Sequence, residues 1–293
     1  MKRSTIINNT LKTIGFKHIM TWLVKHPPRT RANFYPDSLL KNKKLTTQIF
    51  ETLGKTTVTI SPVHPSNQTH IVWFHGGAYC LEALPTYWPL SETIISKINC
   101  KVSLLDYPLA PEFTYADTFN MLEKAYINLT EKFPEDDFIF LGDSAGGGLS
   151  LAFNQYIIKK SFHKLPVKNI LVSPWLDLSL SNPDIDEQVK KDVILTKNML
   201  NWAADKYSGA NDKNIPMLSP IHGDIKSLPT IFISTSTDEL FYPDNLKFMA
   251  LLENNGKDYH PKISKKLPHD WLILPIPESR KLLLDIIEFI EKD

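Results

Sequence analysis

The sequence predicts an α/β fold, with a mostly parallel sheet and helices on both faces. Three observations predict it. Short apolar runs recur at fairly even distance along the 293 residues. Longer helix-like segments fill most of the gaps between them. Two of the runs end directly in glycine turns, His75-Gly76-Gly77 and Gly142-Asp143-Ser144. Strand–helix alternation of this kind stacks a parallel sheet between two helical layers.

In chain order, Ile7, Leu11, Ile14, Met20 and Leu23 fit a helix with one apolar face. The start, Met1-Lys2-Arg3, is basic as in a secretory leader. Asn8, Asn9, Thr10, Lys12 and Thr13 interrupt it, and no small-residue cleavage site follows. Residues 48–52 and 57–60 flank Gly54-Lys55 and read as an antiparallel hairpin at one sheet edge. Strands follow at 71–74, 102–105, 138–141, 170–172 and 230–233, with a last one through His260. Helices are expected over 116–133, 145–159, 196–207, 244–254 and 278–288. Residues 183–216 are a polar, helical insertion between two strands. No repeat or linker interrupts the chain. A single domain over 1–293 is therefore expected, with a helical cap from about 1–45 and 183–216.

The run 138–141 leads into Gly142-Asp143-Ser144-Ala145-Gly146. G-x-S-x-G between a strand and a helix is a nucleophile elbow. The turn must be sharp enough to push the Ser144 hydroxyl out of the sheet, which strains the serine backbone. Positions two residues away are crowded, so glycine fits there. The helix that begins at the serine turns its free N–H groups toward developing negative charge. The run 71–74 leads into His75-Gly76-Gly77-Ala78-Tyr79. There Gly76 and Gly77 let the peptide approach a substrate carbonyl and present N–H groups to an oxyanion. Both turns follow strands, so both lie at the carboxyl edge where open sheets bind ligands.

A serine hydroxyl needs a base. In the elbow-type order, the acid and then the histidine follow the serine. His260 lies in a strand and His269 in a loop before the last helix, so His269 is the better placed base. His222 precedes every acid candidate. Asp238 is the first carboxylate past the strand 230–234 and takes the acid position, with Glu239 and Asp244 as rivals. Asp244 follows Pro243 at a helix start, where capping explains it.

Composition narrows the partners. Hydrophobic content of 42%, charge of 22% and a formal net charge of +1 describe a globular chain without a nucleic-acid footprint. No run approaches 18 apolar residues, so no membrane insertion is expected. Two cysteines, Cys80 and Cys100, make no disulfide framework and point to free thiols and a cytoplasmic setting. No metal-ligand spacing is present, and no metal or cofactor is expected.

The ordered motifs resemble the hormone-sensitive-lipase-like branch of the α/β-hydrolases, a group of carboxylesterases. The resemblance covers roughly residues 70–285. His75-Gly76-Gly77-Ala78 is similar to the family's H-G-G-G/A loop, and Asp106-Tyr107-Pro108-Leu109-Ala110-Pro111-Glu112 to its Y-R-L-A-P-E segment. Gly142–147 matches the elbow, Ser173-Pro174-Trp175-Leu176-Asp177 the S-P-W-x-D segment, Asp238-Glu239-Leu240 the acid motif D-x-L, and His269-Asp270-Trp271 the histidine motif, often H-G-F. Pro108 stands where the family has arginine, so that arginine's ion pair is lost. Asp270 is bulkier than the family's glycine. The resemblance implies a triad of Ser144, Asp238 and His269, with Gly76, Gly77 and Ala145 as oxyanion donors. It implies hydrolysis of a small ester through an acyl-enzyme; the same triad cleaves amides, and binding proteins share the fold. Large cap side chains (Ile14, Met20, Trp22, Leu23, Met199, Leu200, Trp202) suggest a filled slot and short acyl groups.

Overall fold

The computed structural model describes residues 3–29 and 34–292. The N-terminal part holds α1 (Arg3–Thr13), α2 (Phe16–Lys25) and the short α3 (Asp37–Lys41). Then come β1 (Leu45–Thr52), β2 (Lys55–Pro62), β3 (Thr69–Phe74), α4 (Tyr87–Ile98) and β4 (Lys101–Leu105). The chain continues through α5 (Tyr115–Lys132), β5 (Asp137–Asp143), α6 (Ala145–Lys159) and β6 (Lys168–Val172). It closes with α7 (Ile185–Lys191), α8 (Lys197–Ser208), β7 (Thr230–Ser236), α9 (Tyr242–Asn254), β8 (Tyr259–Ser264) and α10 (Pro277–Glu291). The strands form one sheet in the order β1-β2-β4-β3-β5-β6-β7-β8. The β1–β2 hairpin is antiparallel and β2 pairs antiparallel with β4; every other pairing is parallel.

Apolar alternation sets the layers. Along β3 and β5, Val72, Phe74, Phe138 and Phe140 join one core, while Ile71, Trp73, Ile139 and Leu141 join the other. Strands apolar on both faces must be covered on both. Phe119 of α5 and Phe153 of α6 pack on the first face, and Phe248 and Leu252 of α9 extend that layer over Leu171 and Ile233. Ile94 and Ile98 of α4, with Leu282 and Ile286 of α10, cover the second. Burying one such side chain contributes about 1.5–3 kcal/mol.

Two elements depart from expectation. The single N-terminal helix is two, because Gly15 takes a left-handed backbone (φ 65°) between α1 and α2. No helix is expected between 74 and 102, yet α4 lies there. Its Pro89 falls in the first turn, where a missing N–H costs nothing. Residues 1, 2 and 30–33 of the expected cap lie outside the described residues. Among the described residues, no helix is long and apolar enough to cross a membrane.

The N-terminal ends of the parallel strands hold a buried polar chain. His70 Nδ1 bonds Asp136 at 3.0 Å, and His70 Nε2 bonds Ser103 Oγ at 2.7 Å. Ser103 Oγ bonds Thr59 Oγ1 at 2.6 Å, and Lys101 Nζ donates to Asp136 at 2.8 Å. The imidazole stacks on Phe138.

Candidate active site

The opposite strand ends carry the elbow. Ser144 follows β5 with φ 51° and ψ −120°, a strained conformation for a residue with a Cβ. Crowding explains the glycines beside it. A Cβ on Gly142 would sit 2.2 Å from the Gly146 carbonyl oxygen, and one on Gly146 2.0 Å from that of Phe74. The serine backbone is also stapled to β6 and the loop after it. Ser144 N–H donates to Val172 O at 2.8 Å, and Trp175 N–H to Ser144 O at 2.9 Å.

His269 reaches the serine from the loop after β8. Its Nε2 lies 2.8 Å from Ser144 Oγ, and its Nδ1 lies 3.0 Å from Glu239 Oε2. The acid in contact with the histidine is therefore Glu239, and the expectation of Asp238 is corrected. β7 runs to Ser236, so the turn 237–240 swings Asp238 to a half-buried position where it accepts from Thr237 Oγ1 at 3.0 Å. Glu239 points inward and is fully buried. Its Oε1 accepts from Ser236 N–H at 2.8 Å and from the Thr235 hydroxyl. Asp244 bonds Asn182 at 2.9 Å, and His260 stands half-exposed on β8; neither contacts the serine.

Asp192, between α7 and α8, was missed in the sequence. Its buried carboxylate accepts from Ile194 N–H (2.7 Å), Leu195 N–H (2.9 Å) and Leu240 N–H (2.7 Å). It thus ties that segment to the backbone beside Glu239. Burial pushes its carboxyl above the usual range, against the pull of His269.

The glycine loop needs a second correction. Gly76 N–H is already used: it donates to Asp143 Oδ2 at 2.9 Å and to Tyr87 Oη at 2.8 Å. Tyr87 Oη and Trp73 Nε1 also donate to the Asp143 carboxylate. Asp143 therefore anchors the loop, and Gly76 offers no donor to a substrate. Gly77 and Ala78, both at positive φ, line the cavity before Ser144. No acceptor for either N–H is seen among the described residues. Ala145 opens α6 with its N–H in the unpaired first turn. His75 holds the loop from behind: it stacks on Tyr107, whose hydroxyl donates to His75 O at 2.6 Å.

The chain matches the family described as alpha/beta hydrolase fold over residues 71–273. It belongs to that family. The hydrolase is 30% identical over 223 residues to an esterase of Acinetobacter venetianus, covering 75% of this chain and 73% of the relative. It is 27% identical over 204 residues to a carboxylesterase of Mycobacterium tuberculosis, covering 67% and 64%. A crystal structure of a hormone-sensitive lipase from a metagenome library shares its fold at a TM-score of 0.81. That match spans 98% of this chain and 97% of the other at 22% identity.

The hydrolase has an apolar cavity of about 330 Å³ above Ser144. Phe16, Met20, Leu23 and Val24 of α2 line it, with Met199 and Leu200 of α8 and Ile194 and Leu195 before it. Of the expected cap side chains, Ile14 and Trp22 face solvent and Trp202 packs on the core outside the cavity. Polar bonds tie α2 to this segment: Lys17 Nζ to Val189 O of α7 (2.6 Å), Thr21 to Thr196 at the start of α8 (3.1 Å) and Lys25 to Asn198 of α8 (2.6 Å). An arginine from the N-terminal part reaches the segment that holds Pro108. Arg29 donates to Glu112 at 2.8 Å and to the Ala110 and Cys80 carbonyls.

Proposed function

We propose that this hydrolase cleaves short-chain carboxylic esters through an acyl-enzyme on Ser144. The observation that carries the reading is the unbroken chain Ser144 Oγ, His269 Nε2, His269 Nδ1, Glu239 at the floor of an apolar cavity. His269 takes the serine proton as Oγ attacks the ester carbonyl carbon. Glu239 fixes the tautomer and stabilises the imidazolium. The N–H groups of Gly77, Ala78 and Ala145 receive the oxyanion, with the Ala145 end strengthened by the helix dipole. His269 returns the proton to the leaving alkoxide. It then takes a proton from the water that attacks the acyl carbon and passes it to Ser144 Oγ as the acyl–oxygen bond breaks, which frees the acid and restores the serine hydroxyl.

α2 and α8 form the cap of the acyl slot. A cavity of about 330 Å³ is at the small end for ligand sites, which supports acyl groups of about two to four carbons. A cytoplasmic setting fits the cysteines. Both are buried free thiols, pushed up to about 12 by burial. The test is a chromogenic ester series from acetate to decanoate, with a fluorophosphonate to label the serine. Peak turnover on the short members and labelling at Ser144 support the reading. Absence of both sinks it.

A further inference from the structure

A second carboxyl lies against the anchor of the glycine loop. Asp270 follows His269 directly, is 5% exposed and lies within side-chain hydrogen-bonding reach of Asp143, which is fully buried. The position is left-handed, φ 52°, where the resemblance has glycine and where glycine carries no steric cost. Two contacting carboxyls that are both buried disfavour a second negative charge, so one of them keeps its proton. The proton's location follows from the partners. Asp143 accepts from Trp73 Nε1, Tyr87 Oη and Gly76 N–H, so its charged form is satisfied. Asp270 Oδ1 is buried and accepts from no described residue, as suits the oxygen of a protonated acid.

We propose that Asp270 is a neutral carboxylic acid whose O–H donates to the Asp143 carboxylate, and that this pair is a clamp that positions the catalytic histidine. It joins three loops that must stay in register: the residue after His269, the residue before Ser144, and Gly76 of the glycine loop. Asp270 acts through His269 and so is a positioning residue; this role rests on the serine-esterase reading above. Burial first, then the Asp143 charge, pushes the Asp270 carboxyl well above the usual range. The groups that face it are Asp143 from β5, Glu239 from the loop after β7, Tyr87 from α4, and its neighbour His269. None of the carboxylates or the phenol supplies positive charge to stabilise a second anion. Loss of that proton as pH rises replaces an attraction with repulsion and opens the clamp, so kcat falls.

The test compares wild type with Asp270→Asn and Asp270→Ala in pH-stat hydrolysis of ethyl acetate across the alkaline range. Asparagine keeps a neutral donor and cannot ionise. It is expected to hold kcat near wild type at pH 7 and to lose the alkaline fall. Alanine is expected to lower kcat by about 10- to 100-fold, as for a lost hydrogen bond to a charged group, with KM little changed. A protonated-carboxyl band in the infrared spectrum at pH 7, absent from Asp270→Asn, reads the proton without any activity. An unchanged alkaline limb in the asparagine variant, or a missing band in wild type, overturns the clamp. Ester turnover lost in Ser144→Ala but kept in wild type shows that the serine-esterase reading stands even then.

Discussion

Two Ser–His–carboxylate chains run through this molecule, at opposite ends of the parallel strands. Ser144–His269–Glu239 and Ser103–His70–Asp136 have nearly the same spacings, 2.8 and 3.0 Å against 2.7 and 3.0 Å. Their surroundings differ. Ser144 stands on a strained turn before a cavity, with unpaired N–H groups beside it. Ser103 lies within β4, fully buried, and its hydroxyl already bonds Thr59. The first serine has room for a carbonyl carbon and a place for negative charge; the second has neither. Hydrogen-bond order alone therefore makes no hydrolase. The elbow, the donors and the space decide.

The largest test of that contrast exchanges the two serines for alanine. Ser144→Ala is expected to lower kcat by about 10⁶-fold while the fold persists. Ser103→Ala is expected to leave kcat within about twofold and to cost about 1–3 kcal/mol in denaturant unfolding, by leaving buried partners unpaired. Comparable activity in the two variants would erase the distinction.

Next comes the acid. Glu239→Gln is expected to reduce kcat by about 10⁴-fold by favouring the wrong histidine tautomer. Asp238→Asn is expected to change it by less than about threefold, since its carboxylate bonds only its own turn. Steady-state kinetics on both variants decides between the two neighbours.

The third test concerns pH and stability. Burial holds the His70 imidazole below its ordinary value, more strongly than Asp136 raises it. The unfolded chain therefore takes up its proton first as pH falls through about 6.5. The His70 contribution is present above that pH and is lost on acidification toward the lower folded value. Asp136 adds a loss further down: burial alone would raise its carboxyl, but bonds from His70 and Lys101 hold it below the usual range. Melting temperature against pH should fall less steeply below pH 6.5 in His70→Gln than in wild type. Parallel curves would count against this account.

The smallest expected effect is on chain length. Met20→Ala and Met199→Ala enlarge the slot and should move the preferred acyl chain longer by about one or two carbons, at roughly 1–3 kcal/mol of discrimination per methylene at most. Trp22→Ala, on the outer face, should leave the profile unchanged. An ester series on the three variants measures this.

Most strands were readable because they are apolar on both faces and end in glycine or polar turns, as 71–74 and 138–141 do. α4 was not: Pro85, Pro89 and the β-branched Thr93-Ile94-Ile95 obscure a helix stabilised chiefly by packing on β3 and β4. Ser144 and His269 were legible from chain order and turn chemistry. The acid was off by one residue because the extent of β7 and the turn after it decide which of two adjacent carboxylates points inward. Gly76 was misassigned because a carboxylate almost 70 positions away captures its N–H. Asp192 and Arg29 carry no local motif, and only the folded chain brings them to Leu240 and Glu112.

The slot over Ser144 is walled largely by α2 and α8, whereas the reacting atoms come from loops at strand ends. Substitutions at Met20 or Leu200 alter the shape of the slot without removing any hydrogen bond of the elbow, the acid turn or the sheet. Natural variation at these positions is then free to explore new substrates while the catalytic framework is inherited intact.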